Sequence, residues 1–261
     1  MSKEKTTEQI IAHKDKSIEI LNDYLSDLVT RHPKKTDLIS YWLHTYTNFL
    51  KYEESFDPKR NKSYERGDIV KVDFGFNIGS EHGGLHYAVV MDIHNNQSSP
   101  IITVIPLSST DNKEVSTYDV DLGDELYQKL RAKMLGLKQS YKKQLVEINN
   151  FINAVEGIVS LIQPEGDSPE KEQMKSLLSE IEERKSRSAS LLTKRQEVNK
   201  MLAELNKMKS GSMALVPQIR CISKIRIIDP KNTHGVLSGI KLSSENMDKI
   251  DKKLCELFVK G

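Results

Sequence analysis

The residues best suited to chemistry lie in one stretch, from Arg66 to Ser109. Three strand-like apolar runs here carry a polar, glycine-rich loop, and His86 stands at the start of the second run. Because an imidazole has a pKa of about 6.5, a histidine can act as a general acid or base near neutral pH. The alternative interpretation of His86 is a hydrogen-bonded structural histidine at a strand start. Ser108 and Ser109 close the third run, and by themselves they indicate only a turn at a strand end.

The apolar runs predict the strands that must position these groups. Residues 69–74 have a buried-strand pattern, whereas residues 87–91 and 101–107 are almost continuously apolar, as in strands covered on both faces. Residues 115–122 alternate weakly, and strand character resumes at residues 213–228. Neither group of strands is large enough to form a stable sheet alone. We therefore predict one small barrel whose two halves meet in space.

Helical periodicity accounts for the rest of the chain. Apolar residues recur at helical spacing over residues 7–31, and a second helix is predicted to begin after an N-cap at Thr36. A heptad-like seam follows over residues 126–162, is broken at residues 163–169 with Ser168 as an N-cap, and resumes to residue 205. This pattern is typical of an antiparallel coiled-coil hairpin. Ser243 is predicted to cap a closing helix.

These patterns together predict the fold class α+β. The predicted domains are an N-terminal helical hairpin (1–60), a barrel with a C-terminal helix (64–122 plus 211–261) and an inserted antiparallel coiled coil (123–210). The helical hairpin and the coiled coil are expected to act as a scaffold, or alternatively to dock a partner or cover the site.

Composition narrows the function classes. The charged fraction is 29% and the net charge is +2, so the balance neither supports nor excludes a nucleic-acid partner. The chain has two cysteines, which we expect to be reduced core residues, and its His and Cys pattern predicts no metal site. With no basic-apolar leader and no apolar run near eighteen residues, we expect no signal peptide, no membrane span and a cytoplasmic location.

The motifs resemble those of the PemK/MazF toxin family. The resemblance rests on Arg66–Phe74, the loop Gly79–Gly84, the strand Ala88–Val90 and the ending Pro106–Ser109, followed after the insertion by Leu215–Ile222. Leu215–Ile222 together with Ile228 and Asp229 resemble the family's third sequence signature, and residues 235–259 are similar to its final strand and helix. The resemblance implies an SH3-like barrel that dimerises, and a metal-independent ribonuclease without cofactors.

The resemblance also implies roles for individual residues. His86 occupies the position of the family's catalytic arginine, and Ser108 matches a hydroxyl that bonds the scissile phosphate, so both are predicted to be catalytic. A histidine can still transfer protons there, but it supplies less permanent charge than arginine. The predicted substrate-binding residues include the loop that matches the family's cover over the RNA groove, namely Ser80, Glu81, His82, Gly83 and Gly84. They also include Ser109, which would replace Ser108 if the register were shifted by one, and Gln218 and Arg220 of the third signature.

Arg220 is a candidate for restoring the phosphate charge that is lost at His86, with a structural ion pair as the alternative. Gly83 and Gly84 either let the backbone approach a ligand or form a flexible turn. His82 either donates to RNA or is a solvated loop histidine.

Two functions follow as hypotheses. The first is a MazF-like endoribonuclease that cleaves single-stranded RNA by attack of the 2′-hydroxyl on the adjacent phosphate. It would act as a homodimer, be held inactive by a cognate antitoxin, and have no membrane partner. The second is a catalytically inactive MazF-like module that binds RNA or protein, with the coiled coil as scaffold. The absence of the family arginine favours the second hypothesis.

Overall fold

The computed structural model describes residues 5–111, 114–161 and 169–260, and over these residues the chain has a mixed α+β fold. The helices are α1 (Thr7–Arg31), α2 (Pro33–Glu53), α3 (Glu125–Leu161), α4 (Pro169–Leu205) and α5 (Ser244–Phe258). The strands are β1 (Ile69–Asp73), β2 (Leu85–Val90), β3 (Ile101–Ser109), β4 (Val120–Gly123), β5 (Ser212–Ala214), β6 (Arg220–Ser223) and β7 (Ile227–Asp229). The predicted fold class is confirmed.

The strands form one antiparallel, seven-stranded sheet in the order β4-β5-β3-β2-β1-β7, with β6 paired to β3. The long strand β3 pairs with β6 through its first half and with β5 through its last three residues. A single 3-10 turn at Lys224–Arg226 leads from β6 to β7, which pairs with β1. The sheet therefore curls into a small barrel, and strands from both sides of the insertion alternate in it.

Both faces of the central strands are buried, which explains the continuous apolar runs. Along β2, Val89 belongs to one core with α5, whereas Ala88 and Val90 belong to a second core with Val72 and Ile227. Strands covered on both faces need apolar side chains at every position rather than at alternate positions. At roughly 25 cal/mol per Å² of buried apolar surface, these two cores supply the main stabilisation of the barrel.

Helices α3 and α4 form what we call the insertion hairpin. Its base has a core of its own, made of Leu130, Met134, Val198, Met201 and Leu205. Farther out, Lys194 Nζ donates to Gln144 Oε1 at 2.8 Å, which shows that the helices run antiparallel. Most of the predicted break at residues 163–169, including the Ser168 N-cap, lies outside the described residues, and α4 begins at Pro169, the predicted first helical position. Coiled-coil packing along the whole hairpin stays a prediction.

The N-terminal helices differ from the prediction at their junction. Helix α1 ends at Arg31, as the following His32-Pro33 predicts, but α2 begins at Pro33 with His32 as its N-cap residue. The predicted N-cap at Thr36 is wrong: this residue lies inside α2, and its hydroxyl donates to His32 O at 3.3 Å. Proline is favoured in the first turn of a helix because it has no N–H that would need a partner.

Helix α2 packs on the barrel through Trp42. A Cβ on Gly75 would lie 2.7 Å from the Trp42 ring, and Gly75 has φ +81°, so only glycine fits there. The Arg226 guanidinium lies 5.4 Å from the centre of the same ring, which adds a cation–π contact. By contrast, most apolar side chains of α1 are exposed, and Leu28 is its one buried residue. The expectation that both helices bury an apolar stripe is met only in part.

Two other expectations are wrong. Cys221 and Cys255 are free but exposed rather than in the core, because they lie on the outer sides of β6 and α5. The final strand expected near residue 235 is replaced by turns, with one isolated β-bridge between Asp68 and Lys241. The closing helix does have the predicted N-cap, since Asn246 N–H donates to the Ser243 hydroxyl.

Candidate active site

His86 and Ser108 lie on adjacent antiparallel strands. The β2–β3 pairing ends at Ala88 and Pro106, and His86 and Ser108 each lie two residues beyond this pair on their own strands. Both residues line the same cleft. Both side chains are half-buried. The two predicted catalytic residues are therefore neighbours at one end of the barrel.

They line a cleft of about 470 Å³ between the barrel and the base of the insertion hairpin. On the barrel side the cleft contains His86, Ser108 and Ser109 together with Lys71 and Tyr87. On the hairpin side it is lined by the end of α4 and the segment that follows, namely Glu204, Lys207, Met208 and Lys209. We call this space the His86 cleft. The Ser108 hydroxyl has no hydrogen-bond partner in the part of the chain that the structure describes, so it is free to donate to a ligand.

The surroundings of His86 favour the neutral imidazole. Burial lowers the pKa of His86 below its ordinary value, and hydrogen bonds to the backbone at Leu107 and Gly83 oppose this shift without cancelling it. A histidine that is neutral at pH 7 can accept a proton. The ring is thus kept in the state that a general base requires.

His82 packs directly on His86, with the ring centres 4.0 Å apart. Burial, together with the smaller effects of the nearby His86 and Arg220, lowers the pKa of His82 to about 4. Its Nε2 atom is buried and has no hydrogen-bond partner among the residues that the structure describes. His82 is therefore a neutral, enclosed side chain and not the solvated loop histidine of the alternative interpretation.

Gln218 and Arg220 hold the loop rather than lining the cleft. Gln218 Oε1 accepts from the His82 backbone N–H at 3.2 Å, and Gln218 Nε2 donates to Ser80 O at 3.3 Å. Arg220 donates to the Gln218 side chain at 2.9 Å, and its guanidinium lies 5.3 Å from the centre of the Phe74 ring. The third signature thus fixes the loop Gly79–Gly84 through Gln218. The Arg220 guanidinium is already hydrogen-bonded to Gln218.

The remaining loop residues face helix α2. Glu81, Gly83 and Gly84 line a second cleft of about 440 Å³ that also contains Trp42. A Cβ on Gly83 would lie 2.7 Å from the Gly75 carbonyl oxygen, so this glycine is required by a close backbone approach. The structure therefore places the predicted substrate-binding residues in two groups: Ser109 in the His86 cleft, and the loop with Gln218 and Arg220 behind it.

An ion pair links the insertion hairpin to the barrel at the cleft wall. Glu204 accepts from Lys71 and also from the Tyr87 hydroxyl, the latter at 2.6 Å. Burial raises the pKa of Glu204, but these two hydrogen bonds and the positive charges of Lys71 and Lys207 together outweigh it, and the net shift is downward. Burial and the Glu204 carboxylate both raise the pKa of Tyr87. Lys71 is consequently neutralised by Glu204.

Sequence reasoning did not identify Lys71, Lys207 or Lys209 as cleft residues. Lys71 lies on the barrel side, within Arg66–Phe74, but it alternates outward from an apolar strand, whereas Lys207 and Lys209 follow the end of a long polar helix. For Lys207 and Lys209 the one available signal was position, because they come directly before the barrel strands resume. No group of three or more His, Cys, Asp or Glu side chains among the described residues is arranged to hold a metal ion.

Comparison with known families identifies the domain that carries this cleft. Residues 65–139 match the family described as PemK-like, MazF-like toxin of type II toxin-antitoxin systems. The match contains β1 to β4 and the start of α3, so this part of the chain is similar to the PemK/MazF family, as its motifs predicted. Members of this family are generally endoribonucleases that interact with RNA and with an antitoxin.

Two further findings accompany this match. A comparison with curated proteins gave no match to the chain. Among the helices that the structure describes, none is long and apolar enough to cross a membrane.

Proposed function

We propose that this protein is a MazF-like endoribonuclease that cleaves single-stranded RNA without a metal ion. The observation that carries the proposal is the placement of His86, Ser108 and Ser109 in one cleft of a PemK/MazF-like domain. Transfer of a phosphoryl group within RNA needs a base for the 2′-hydroxyl and hydrogen-bond donors for the phosphate oxygens. The cleft offers both kinds of group on adjacent strands.

In the proposed reaction, neutral His86 accepts the proton of the ribose 2′-hydroxyl. The 2′-oxygen then attacks the adjacent phosphorus, the bond from phosphorus to the 5′-oxygen breaks, and the leaving oxygen takes up a proton from solvent. The products are a 2′,3′-cyclic phosphate and a 5′-hydroxyl end. Ser108 donates to a non-bridging phosphate oxygen, and Ser109 binds the same phosphate group or its neighbour. The loop Ser80–Gly84, held by Gln218 and Arg220, contributes to the choice of bases.

Replacing His86 tests the proposal. The purified protein is expected to cleave single-stranded RNA with EDTA present, and His86→Ala is expected to lower the rate by roughly 10²–10⁴-fold because the general base is lost. Cleavage is measured on fluorescent RNA by gel electrophoresis. His94→Ala, which changes an exposed histidine outside the cleft, serves as the matched control. Intact RNA at high enzyme concentration would overturn the proposal, and normal cleavage by His86→Ala would overturn the assignment of His86.

The partners and the location follow from the same proposal. We expect a cognate antitoxin whose C-terminal segment occupies the His86 cleft, and a homodimer in the cytoplasm, where the RNA substrate is found. The charge balance of the chain is compatible with this environment.

A second function is favoured by one specific observation. The ring of His86 is half-buried against backbone groups of Leu107 and Gly83, as in a structural histidine. The alternative is thus a catalytically inactive module that binds RNA or protein. Induced expression in a bacterial host distinguishes the two: growth arrest that His86→Ala relieves supports the enzyme, and unaffected growth with either protein supports the binding module.

A further inference from the structure

The insertion hairpin has an uneven charge along its length. The part next to the barrel, residues 123–143 and 194–210, has eleven Lys and Arg against four Asp and Glu, a net charge of +7. The far part, residues 144–193, has five against nine, a net charge of −4. A hairpin that served only as a rigid spacer would need no such division. Basic residues concentrated on one part of a surface are the usual footprint of a polyanion.

The basic part of the hairpin reaches the His86 cleft. Lys207 and Lys209 line the cleft together with His86 and Ser108, and both lysines are exposed. Within α4, Lys200 lies four residues before Glu204 of the cleft wall. Residues at this spacing share one helix face. Lys207 and Lys209 follow the end of α4 and line the cleft, so ammonium groups lie both in the cleft and on the face of α4 that leads to it.

These ammonium groups are available to a ligand. Lys200 and Lys207 make no ion pair with any residue of the described chain. Lys209 pairs with Asp111 at 2.8 Å, but both side chains are largely exposed, and such surface pairs are weak and easily exchanged. A phosphate group can thus replace the carboxylate of Asp111.

On the barrel side, the described residues that line the cleft include no lysine or arginine without an ion-pair partner. Lys71 is paired with Glu204, and their side chains are only 18% and 17% exposed. Arg220 donates to Gln218 and does not line the cleft. The positive charge that a histidine in place of arginine fails to supply must come from somewhere else if the cleft is to hold an RNA phosphate. The lysines of the hairpin base are the groups that can provide it.

We infer that the end of α4 and the segment that follows it, with Lys200, Lys207 and Lys209, belong to the RNA-binding surface, whereas the exposed lysines farther along α3 do not. Lys207 and Lys209 bind the phosphates of single-stranded RNA next to the scissile bond, and Lys200 binds the strand as it leaves the cleft. This inference rests on the proposed function, because it takes the His86 cleft as the place where RNA is cleaved. An acidic protein segment would meet the same lysines, but the neighbouring His86 and Ser108 favour RNA as the ligand.

The test compares two double variants with the same change in charge. Lys207→Glu/Lys209→Glu alters the cleft, whereas Lys138→Glu/Lys142→Glu alters exposed lysines of α3 that do not line it. Each is prepared in the full chain with His86→Ala, and binding of a fluorescent single-stranded RNA is measured between about 50 and 200 mM salt.

The cleft variant is expected to bind RNA at least about tenfold more weakly at low salt, with the slope of log K against log salt reduced by about 1.4, since each lost single-strand phosphate contact removes about 0.7. The α3 variant is expected to keep both the affinity and the slope. With His86 intact, the cleft variant should raise KM while kcat changes little. Thermal unfolding followed by circular dichroism checks that both variants remain folded.

The outcomes distinguish a failure of this inference from a failure of the proposed function. If the unaltered protein cleaves RNA and the cleft variant binds and cleaves it equally well, the inference is wrong and the proposed function stands. Equal weakening by the α3 pair would also overturn the inference, because only overall charge would then matter. If the protein with His86 intact neither binds nor cleaves RNA, both fail. In that case, binding of a poly-glutamate peptide that Lys207→Glu/Lys209→Glu abolishes would identify an acidic protein segment as the ligand instead.

Discussion

At the scale of single residues, the site is built around two histidines in contact. His82 and His86 have ring centres 4.0 Å apart, and burial lowers the pKa of both. Two imidazolium ions at this distance would repel each other strongly, so the pair holds at most one proton near neutral pH. His86 meets the cleft, whereas His82 packs behind it against Phe74. This arrangement keeps a proton acceptor ready beside Ser108.

The depressed pKa of His82 makes stability depend on pH. The folded protein has a pKa of about 4 at this residue, and the unfolded chain has the ordinary value of about 6.5. Between these values the unfolded chain binds more protons, so stability is fully present above about pH 6.5 and is lost as the pH falls. We expect His82→Asn to flatten the loss of unfolding free energy from about pH 7 to about pH 5.

Urea unfolding at several pH values measures this slope. His94→Asn is the matched control, because His94 is exposed and lies outside the cleft. An unchanged slope for His82→Asn would show that His82 does not have a depressed pKa in the folded protein.

At the scale of elements, the decisive contact joins α4 to two strands. Glu204 accepts from Lys71 of β1 and from Tyr87 of β2, and it does so at the wall of the His86 cleft. Tyr87 is the immediate neighbour of His86, so the hairpin fixes the strand that carries the candidate base. The insertion is thereby attached to the site and not merely to the barrel surface.

Removing this carboxylate should destabilise the protein. Glu204→Ala leaves the Lys71 ammonium group and the Tyr87 hydroxyl without their partner in a largely enclosed position, at a cost of roughly 1–3 kcal/mol. Tyr87→Phe loses one hydrogen bond and should cost about 1 kcal/mol. Urea unfolding gives both values.

The double variant Lys71→Met/Glu204→Leu is the control, and it should recover most of the loss because no unpaired charge remains. A Glu204→Ala variant as stable as the parent protein would contradict the role of this contact.

The elements themselves were largely readable from the sequence, with informative exceptions. Apolar runs gave β1, β2 and β3, because strands with two covered faces have few polar residues. Thr36 is a good N-cap residue by type, yet Pro33 already starts α2, since its fixed φ suits a first helical turn. Cys221 and Cys255 are small apolar residues by type, but their places on β6 and α5 leave them exposed.

At the scale of the whole molecule, we propose three units: the N-terminal helices (1–60), the barrel with α5 (64–122 plus 211–261) and the insertion hairpin (123–210). The first unit touches the barrel through Trp42, and the hairpin touches it through Glu204. The hairpin projects far from this contact, since a helix of 37 residues is about 55 Å long. Only its base lies near the His86 cleft.

Shortening the hairpin should therefore leave the site intact. Residues 145–193 can be replaced by a short glycine-serine turn, because Gln144 and Lys194 already contact each other. The shortened protein keeps every residue that lines the His86 cleft, and we expect cleavage within about twofold of the full chain, as for changes at distant sites. RNA cleavage and light scattering measure the activity and the mass.

An activity loss of more than about tenfold in a folded shortened protein would contradict this expectation, since distant changes usually act independently. It would show that the far part of the hairpin takes part in the reaction. A matched protein with the excised residues restored excludes an effect of the new turn.

The sequence by itself determined the α+β class, the two-part barrel, the insertion and the choice of His86 and Ser108. It could do so because apolar periodicity and local motifs are properties of neighbouring residues. Only the tertiary structure decided that Gln218, itself bound by Arg220, holds the loop and that Lys207 and Lys209 line the cleft. The contacts of Gln218 with Ser80 and of Glu204 with Lys71 and Tyr87 join residues separated by more than a hundred positions. The place of Lys207 and Lys209 depends on how α4 packs on β1 and β2, which no local sequence pattern encodes.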